Sequence, residues 1–100
     1  MITLTAVIRV KPGEQAAMHA ALLEVASYVA ANEPGTVGYF VSQSADRPEL
    51  FTTYERFADR AAMDRHKNSP AVARFVVATK EIRAEPFAVH IGTELSAHPH

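Results

Sequence analysis

His66 is the side chain in this sequence best suited to proton transfer. An imidazole with an ordinary pKa of about 6.5 can accept or donate a proton near neutral pH. His66 follows Met63 by three residues and Ala62 by four, so all three side chains share one face of a short predicted helix. If Met63 points into the core, His66 does too. Three roles remain open for His66: capping the helix end, acting on a substrate as a general base, or ligating a metal.

A carboxylate and several aromatic side chains are the other candidates for a site. Tyr54 and Glu55 are adjacent on a predicted strand, so they face opposite sides of the sheet. Glu55 shares its face with Phe57, and it lines a pocket if Phe57 does. The alternative for Glu55 is an ion pair with a neighbouring arginine. Tyr39 is either a core aromatic or a pocket hydroxyl, and Tyr28 is placed to close one end of a pocket.

Several other kinds of catalytic site are not supported. The chain has no cysteine, which excludes thiolate nucleophiles, disulfides and Cys-ligated zinc. No two histidines have the i, i+4 spacing of a helical zinc site, and no glycine-rich loop is suited to phosphate. His19 is expected on the solvent side of a helix, His90 is alone in a strand, and His98 and His100 are too loosely spaced for a metal. We therefore expect no metal site.

Composition limits the class of protein. The chain has 100 residues, of which 48% are apolar, which suits one domain with one hydrophobic core. The 10 basic and 11 acidic residues form no long run of either sign, which favours a small-molecule or protein partner over nucleic acid or a membrane. The first residues lack a secretory signal pattern, and no segment reaches membrane-spanning length. We therefore expect a cytoplasmic protein.

Periodicity predicts the elements that must position these side chains. Alternating apolar residues predict strands, and apolar residues at intervals of three and four predict helices. In chain order the elements are a strand over 2–10, a helix over 14–32, strands over 36–43 and 50–56, a helix over 60–67, a helix from 70, and a strand over 87–92. Asp59 and Ser69 are the expected N-caps of the two later helices. The β-α-β-β-α(α)-β order predicts an α+β, ferredoxin-like domain, with an antiparallel four-stranded sheet and helices on one face. We expect this single domain to span 1–95 and a flexible tail to follow over 96–100.

The uncovered face of such a sheet is expected to be partly apolar. Val7, Phe40 and Phe51, with the small residues Ala88 and Gly92, leave it so whichever alternation is chosen. A second copy packed face to face would bury this surface. We therefore expect a homodimer with a barrel-like centre. The alternative is a monomer with scattered apolar surface residues.

The segment from Glu33 to Phe75 resembles the antibiotic biosynthesis monooxygenase (ABM) family of the dimeric α+β barrel group, which includes quinol monooxygenases. The motifs that carry the resemblance are Glu33-Pro34-Gly35, Tyr39, Tyr54-Glu55-Arg56-Phe57, Ala61-Ala62, His66 and Ser69-Pro70. The opening strand and the following KPGEQ fit as well, so nearly the whole chain is covered. The chain departs from the family pattern at two places: Phe57 stands where tryptophan is usual, and Ala71-Val72 replaces a histidine-phenylalanine pair.

The resemblance implies a cofactor-independent monooxygenase, an oxidoreductase that oxidises a small hydroxylated aromatic of the quinol or anthrone type with O2. It implies that His66 is catalytic and assists deprotonation of the substrate. The expected substrate-binding residues are Tyr28, Tyr39, Tyr54, Glu55, Phe57, Met63 and Phe75. The alternatives on the same fold are a non-enzymatic small-molecule-binding or stress-related dimer and an isomerase of a small hydroxy-ketone. A ring-sized cavity beside His66 would favour the enzyme.

Overall fold

The computed structural model describes residues 1–98 and confirms the predicted order of elements. The elements are β1 (Ile2–Arg9), α1 (Gln15–Asn32), β2 (Thr36–Gln43), β3 (Leu50–Phe57), α2 (Arg60–Lys67), α3 (Pro70–Thr79) and β4 (Ala88–Thr93). The last strand therefore begins and ends one residue later than the sequence predicts. The predicted tail over 96–100 lies partly outside the described residues, because its last two positions are not described.

The four strands form one antiparallel sheet in the order β2-β3-β1-β4. This is the ferredoxin-like α+β arrangement expected from the sequence. The register places Ala6 of β1 opposite Thr53 of β3 on one side and opposite Val89 of β4 on the other. Residues that are opposite one another in an antiparallel sheet point to the same face. The register therefore fixes which side chains of different strands meet beneath the helices.

All three helices cover one face of the sheet, and the hydrophobic core lies between them and the strands. The predicted inward stripe of α1 is buried, and its members are Met18, Leu22, Val25 and Val29. The inward side chains of β3 are Phe51, Thr53, Glu55 and Phe57. Phe51 was expected on the uncovered face, and that expectation is wrong. The alternation along β3 places Phe51 with Phe57 in the core, where only 1% of its surface is exposed.

The two short helices begin at the predicted caps. The Asp59 carboxylate accepts a hydrogen bond from the Ala62 N–H at 2.8 Å, and the Ser69 hydroxyl accepts one from the Val72 N–H at 3.2 Å. The start of α2 also packs closely on the turn that follows α1. A Cβ atom at Gly35 would lie 2.7 Å from the Cβ of Ala62, so only glycine allows this approach.

The face of the sheet opposite the helices, called the open face here, carries exposed aromatic rings. Phe40 of β2 and Tyr54 of β3 are opposite one another, and their ring centroids are 6.2 Å apart. Both residues are exposed, with 57% of the surface of Phe40 and 41% of that of Tyr54 accessible to solvent. Thr5 and His90 continue the same row across β1 and β4. In the part of the chain that the structure describes, no helix has the length and apolar character needed to span a bilayer.

Candidate active site

His66 lies in the last turn of α2 with its side chain turned into the protein. Ala62, Met63 and His66 are the buried residues of this helix, which confirms the shared face expected from their spacing. Only 5% of the surface of His66 is exposed. The ring of Phe57 packs against the imidazole at a centroid distance of 5.5 Å, and the ring of Tyr39 lies at the same distance. These contacts hold the imidazole in one orientation.

One side of the imidazole contacts Glu33, which immediately follows α1. The Nδ1 atom of His66 lies 2.8 Å from Oε1 of Glu33. The same carboxylate oxygen accepts a hydrogen bond from the Thr36 hydroxyl at 2.8 Å. Glu33 is itself held in place because its backbone N–H donates to the Val29 carbonyl at the end of α1. The turn after α1 therefore supplies a fixed carboxylate to a histidine on another helix.

The other side of the imidazole contacts Glu55 on β3. The Nε2 atom of His66 lies 3.3 Å from Oε1 of Glu55, which is an ion-pair distance without hydrogen-bond geometry. The second oxygen of Glu55 accepts a hydrogen bond from the Thr53 hydroxyl at 2.7 Å. Only 4% of the surface of Glu55 is exposed. Oε1 is thus a buried oxygen that has no hydrogen bond and points toward the imidazole.

These contacts are not those expected of a histidine that caps a helix or of a glutamate that pairs with an arginine. The ring nitrogens of His66 contact carboxylates, and the end of α2 is instead closed by the Asn68 N–H donating to the Asp64 carbonyl. Glu55 does not pair with an arginine, since the neighbouring Arg56 binds Glu94 at 2.7 Å. Among residues 1–98 no cluster of three His, Asp or Glu side chains is arranged to hold a metal ion. Glu33 and Glu55 contact different ring nitrogens, so their oxygens do not converge on one point.

The two carboxylates change the acid–base properties of the site. Burial lowers the pKa of His66, but the contact and charge of Glu55, together with those of Glu33, outweigh burial and raise the pKa above its ordinary value. The neighbouring Tyr39 is affected in the same sense. Its pKa is raised by burial first and then by the charges of Glu55 and Glu33. Tyr39 therefore remains a neutral phenol, and His66 is a stronger base than a free imidazole.

A half-open pocket of about 210 Å³, called the inner cavity here, lies beside this pair between the sheet and α3. Its lining is mainly apolar. The lining residues are Leu4, Ala6, Ile8, Leu22, Val25, Tyr39, Thr53, Glu55, His66, Lys67, Val72, Phe75, Val76, Phe87 and Val89. A dry cavity of about 150 Å³ is enough to bind benzene. The inner cavity therefore has room for a substituted aromatic ring beside His66.

The structure places the predicted site residues in three groups. Tyr39, Glu55 and Phe75 line the inner cavity together with His66. Phe57 and Met63 are fully buried and do not line it, so they pack as core residues around the imidazole.

Two of the predicted substrate-binding residues lie away from the inner cavity. Tyr54 is on the open face, because alternation along β3 turns it away from Glu55. Tyr28 lies near the C-terminal end of α1 and borders a second pocket.

This second pocket, called the outer cleft here, has a volume of about 400 Å³. It lies between the C-terminal end of α1 and helices α2 and α3. Glu33 lines it, together with the exposed side chains of Asn32, Arg65 and Asn68. Glu33 is the main site residue that sequence reasoning missed, since Glu33-Pro34-Gly35 predicts only the end of a helix. Lys67 and Val72, which line the inner cavity, were missed as site residues as well.

Comparison with known proteins agrees with the fold. Residues 1–78 match the family model described as antibiotic biosynthesis monooxygenase. No curated protein sequence matches the chain. Among solved structures, a Nitrosomonas europaea protein whose name carries the same family description superposes with a TM-score of 0.88 at 25% identity, covering 96% of this chain and 100% of that one. PA3566 from Pseudomonas aeruginosa superposes with a TM-score of 0.85 at 25% identity, covering 95% of this chain and 94% of that one. Rv0793 from Mycobacterium tuberculosis superposes at 0.88 and 24% identity, covering 98% of both chains.

The raised pKa of His66 predicts a specific dependence of stability on pH. A group whose pKa is higher in the folded state stabilises the fold fully below its unfolded pKa, here about 6.5, and loses this contribution as the pH rises through the folded value. We expect the free energy of unfolding to fall over that interval. Urea unfolding at a series of pH values measures it.

The same histidine can be followed directly by NMR. The ring resonance that is absent from His66→Gln should titrate above pH ~6.5 in the wild type. Glu55→Gln should lower this midpoint, because it removes the carboxylate that raises the pKa most. A wild-type midpoint at or below the ordinary value would contradict the assignment, as would a midpoint that Glu55→Gln leaves unchanged.

Proposed function

Because the chain belongs to the antibiotic biosynthesis monooxygenase family, we propose that it oxidises a small hydroxylated aromatic compound of the quinol or anthrone type with O2, without a metal or organic cofactor. The observation that supports this most is the position of His66, a base of raised pKa at the wall of a mainly apolar cavity. A phenol or an activated methylene needs only such a base to become an anion that can reduce O2.

His66 is the proposed base in its neutral form. The short contact between Nδ1 and Glu33 favours the tautomer in which Nδ1 carries the proton. Nε2 then has a free lone pair, and it lies on the side of Glu55 and the inner cavity. A substrate hydroxyl near Nε2 gives its proton to His66, and Glu55 stabilises the positive charge that develops on the ring.

The oxidation balances without an external reductant. The substrate loses two hydrogen atoms and gains one oxygen atom from O2, and the other oxygen atom leaves with those hydrogens as water. The four electrons that reduce O2 come from the substrate carbon framework. The protein therefore has to bind the ring, remove a proton, keep bulk water away from the anion, and return a proton when water is released.

The shape of the inner cavity supports a flat, compact substrate. Phe75 and Phe87 contact one another at a ring-centroid distance of 5.7 Å and offer an aromatic wall. Val72 lines the cavity where the family pattern usually has a phenylalanine, which leaves more room on the α3 side. Lys67 is the cationic side chain on the lining and provides a contact for a negatively charged ring substituent.

We also propose that two copies associate through their open faces. Phe40 and Tyr54 expose stacked rings there, and Val7 and Ala88 form a neighbouring apolar pair. Exposed aromatic rings on an uncovered sheet are typical of a protein interface. The inner cavity lies on the other side of the sheet, so each copy would keep its own site.

Binding of an aromatic compound can be tested apart from turnover. Val72→Phe should fill the inner cavity, because Val72 lines it, and should weaken binding of hydroquinones and anthrones at least about tenfold. Val77→Phe is the matched control, since Val77 lies on the same helix, is 77% exposed and does not line the cavity. Thermal shift and calorimetry measure the affinity. Equal binding by both variants would remove this cavity as the binding site.

Turnover is tested by O2 consumption with the compounds that bind. His66→Ala should lower kcat by about 100-fold or more, the usual contribution of a positioned general base. His19→Ala is the control, because His19 is an exposed histidine on α1. Activity of the wild type should rise with pH as His66 loses its proton. Binding without any O2 consumption would favour the non-enzymatic alternative, and an active, folded His66→Ala would remove His66 from the chemistry.

Association is tested by analytical ultracentrifugation. The wild type should sediment with twice the 10.9 kDa mass of the chain, and Phe40→Asp should sediment as a single chain. Val77→Asp places the same charge at an exposed valine of α3 and should leave the dimer intact. A wild type that sediments as a monomer, or a Phe40→Asp variant that remains dimeric, would exclude association through the open face.

A further inference from the structure

Three buried titratable side chains connect the two pockets of this protein. Glu55 lines the inner cavity, Glu33 lines the outer cleft, and His66 lies between them with one ring nitrogen at 3.3 Å from Glu55 and the other at 2.8 Å from Glu33. We propose that these residues form a proton relay in which Glu33 receives the substrate's proton on the outer-cleft side and returns it at the end of the reaction. This inference rests on the proposed function.

An imidazole relays a proton only when each ring nitrogen has its own partner. In the neutral ring, Nε2 accepts a proton from the cavity side while Nδ1 gives its proton to Glu33. The ring need not turn, and the packing of Phe57 and Tyr39 against it keeps it from turning. His66 is therefore built to pass a proton through the ring.

Glu33 has the capacity to hold the proton. Its Oε1 atom already contacts the Thr36 hydroxyl and His66. Its Oε2 atom is buried and has no hydrogen-bond partner in the structure. A protonated Glu33 can carry its hydrogen on this second oxygen. Buried polar atoms are normally paired, so this orphaned oxygen calls for an explanation.

A cationic side chain of α2 lies on each side of the relay. On the outer side, Arg65 of α2 lines the outer cleft with Glu33. On the inner side, Lys67 of α2 and the neutral phenol of Tyr39 on β2 line the inner cavity with Glu55. A proton moved to Glu33 is separated from the substrate anion by the whole imidazole ring. The ring beside the anion is then a neutral imidazole, which is a much weaker acid than an imidazolium, so the anion persists while O2 reacts.

The relay preserves the balance of the reaction. The first proton moves from substrate to Nε2 as the Nδ1 proton moves to Glu33. After O2 has added to the substrate carbon as a peroxide, Glu33 returns its proton to Nδ1, and Nε2 protonates the peroxide oxygen that leaves. The O–O bond then breaks as the hydrogen still bound to that carbon leaves as a proton. One oxygen stays on the substrate, and the other leaves as hydroxide, which takes up this proton to form water. Glu33 touches neither substrate nor O2, so it is a positioning residue.

Chemical rescue distinguishes a relay from a merely structural role. Glu33→Ala should lower kcat by about 100-fold with little change in KM, and added formate, which fits the outer cleft, should restore turnover at least about tenfold. Glu85→Ala is the control, since Glu85 is a carboxylate that pairs with Arg9 at the surface. Unchanged kcat in a folded Glu33→Ala variant would overturn the relay, as would a loss that formate does not restore.

A second measurement needs no substrate. Nitrogen-15 shifts of the neutral His66 ring should report a protonated Nδ1 in the wild type and a shift toward protonated Nε2 in Glu33→Ala, reversed by formate. A wild-type ring protonated at Nε2 would overturn the relay whatever the turnover. If the tautomer is as expected but no quinol or anthrone is oxidised, the proposed function fails while the Glu33–His66 link stands.

Discussion

The contact of one buried imidazole with two buried carboxylates is the interaction on which the site depends. Burial of a carboxylate away from water costs free energy unless a positive charge or a hydrogen bond stabilises the group. Glu33 and Glu55 share His66 for this purpose, and Thr36 and Thr53 each donate a further hydrogen bond to one of them. The turn after α1, the helix α2 and the strand β3 are thereby joined at one point, which keeps the geometry of the site tied to the packing of the fold.

Much of the fold follows from local sequence signals. Alternation and helical spacing gave the strands and helices to within about a turn, because each pattern reflects a face that must be buried. The inward direction of His66 also followed, since its spacing from Met63 is a property of the helix alone. The opposite directions of Tyr54 and Glu55 were equally clear from alternation. Alternation did not show which of these two side chains faces the helices, because that depends on which face of the sheet the helices cover.

The part of the site that the sequence did not predict is made by contacts between residues far apart in the chain. Glu33 lies 33 residues before His66, and its local sequence describes only a helix end. No spacing rule connects a helix-ending turn to a later helix. Tyr28 and Tyr54 were both expected at the pocket, yet Tyr28 borders the outer cleft and Tyr54 lies on the open face. Residue type identified the candidates, whereas their position needed the tertiary structure.

The close approach of Gly35 and Ala62 gives the site a sensitivity that its chemistry alone does not suggest. The missing side chain at position 35 sets how near α2 can come to the turn that carries Glu33. Any added atom there must push the helix outward, and the gap between Nδ1 and Oε1 would widen with it. Packing at a residue that touches no ligand thus controls a hydrogen-bond length. A substitution at position 35 would therefore change the basicity of His66 by changing its distance from Glu33, while every ionisable group stays in place.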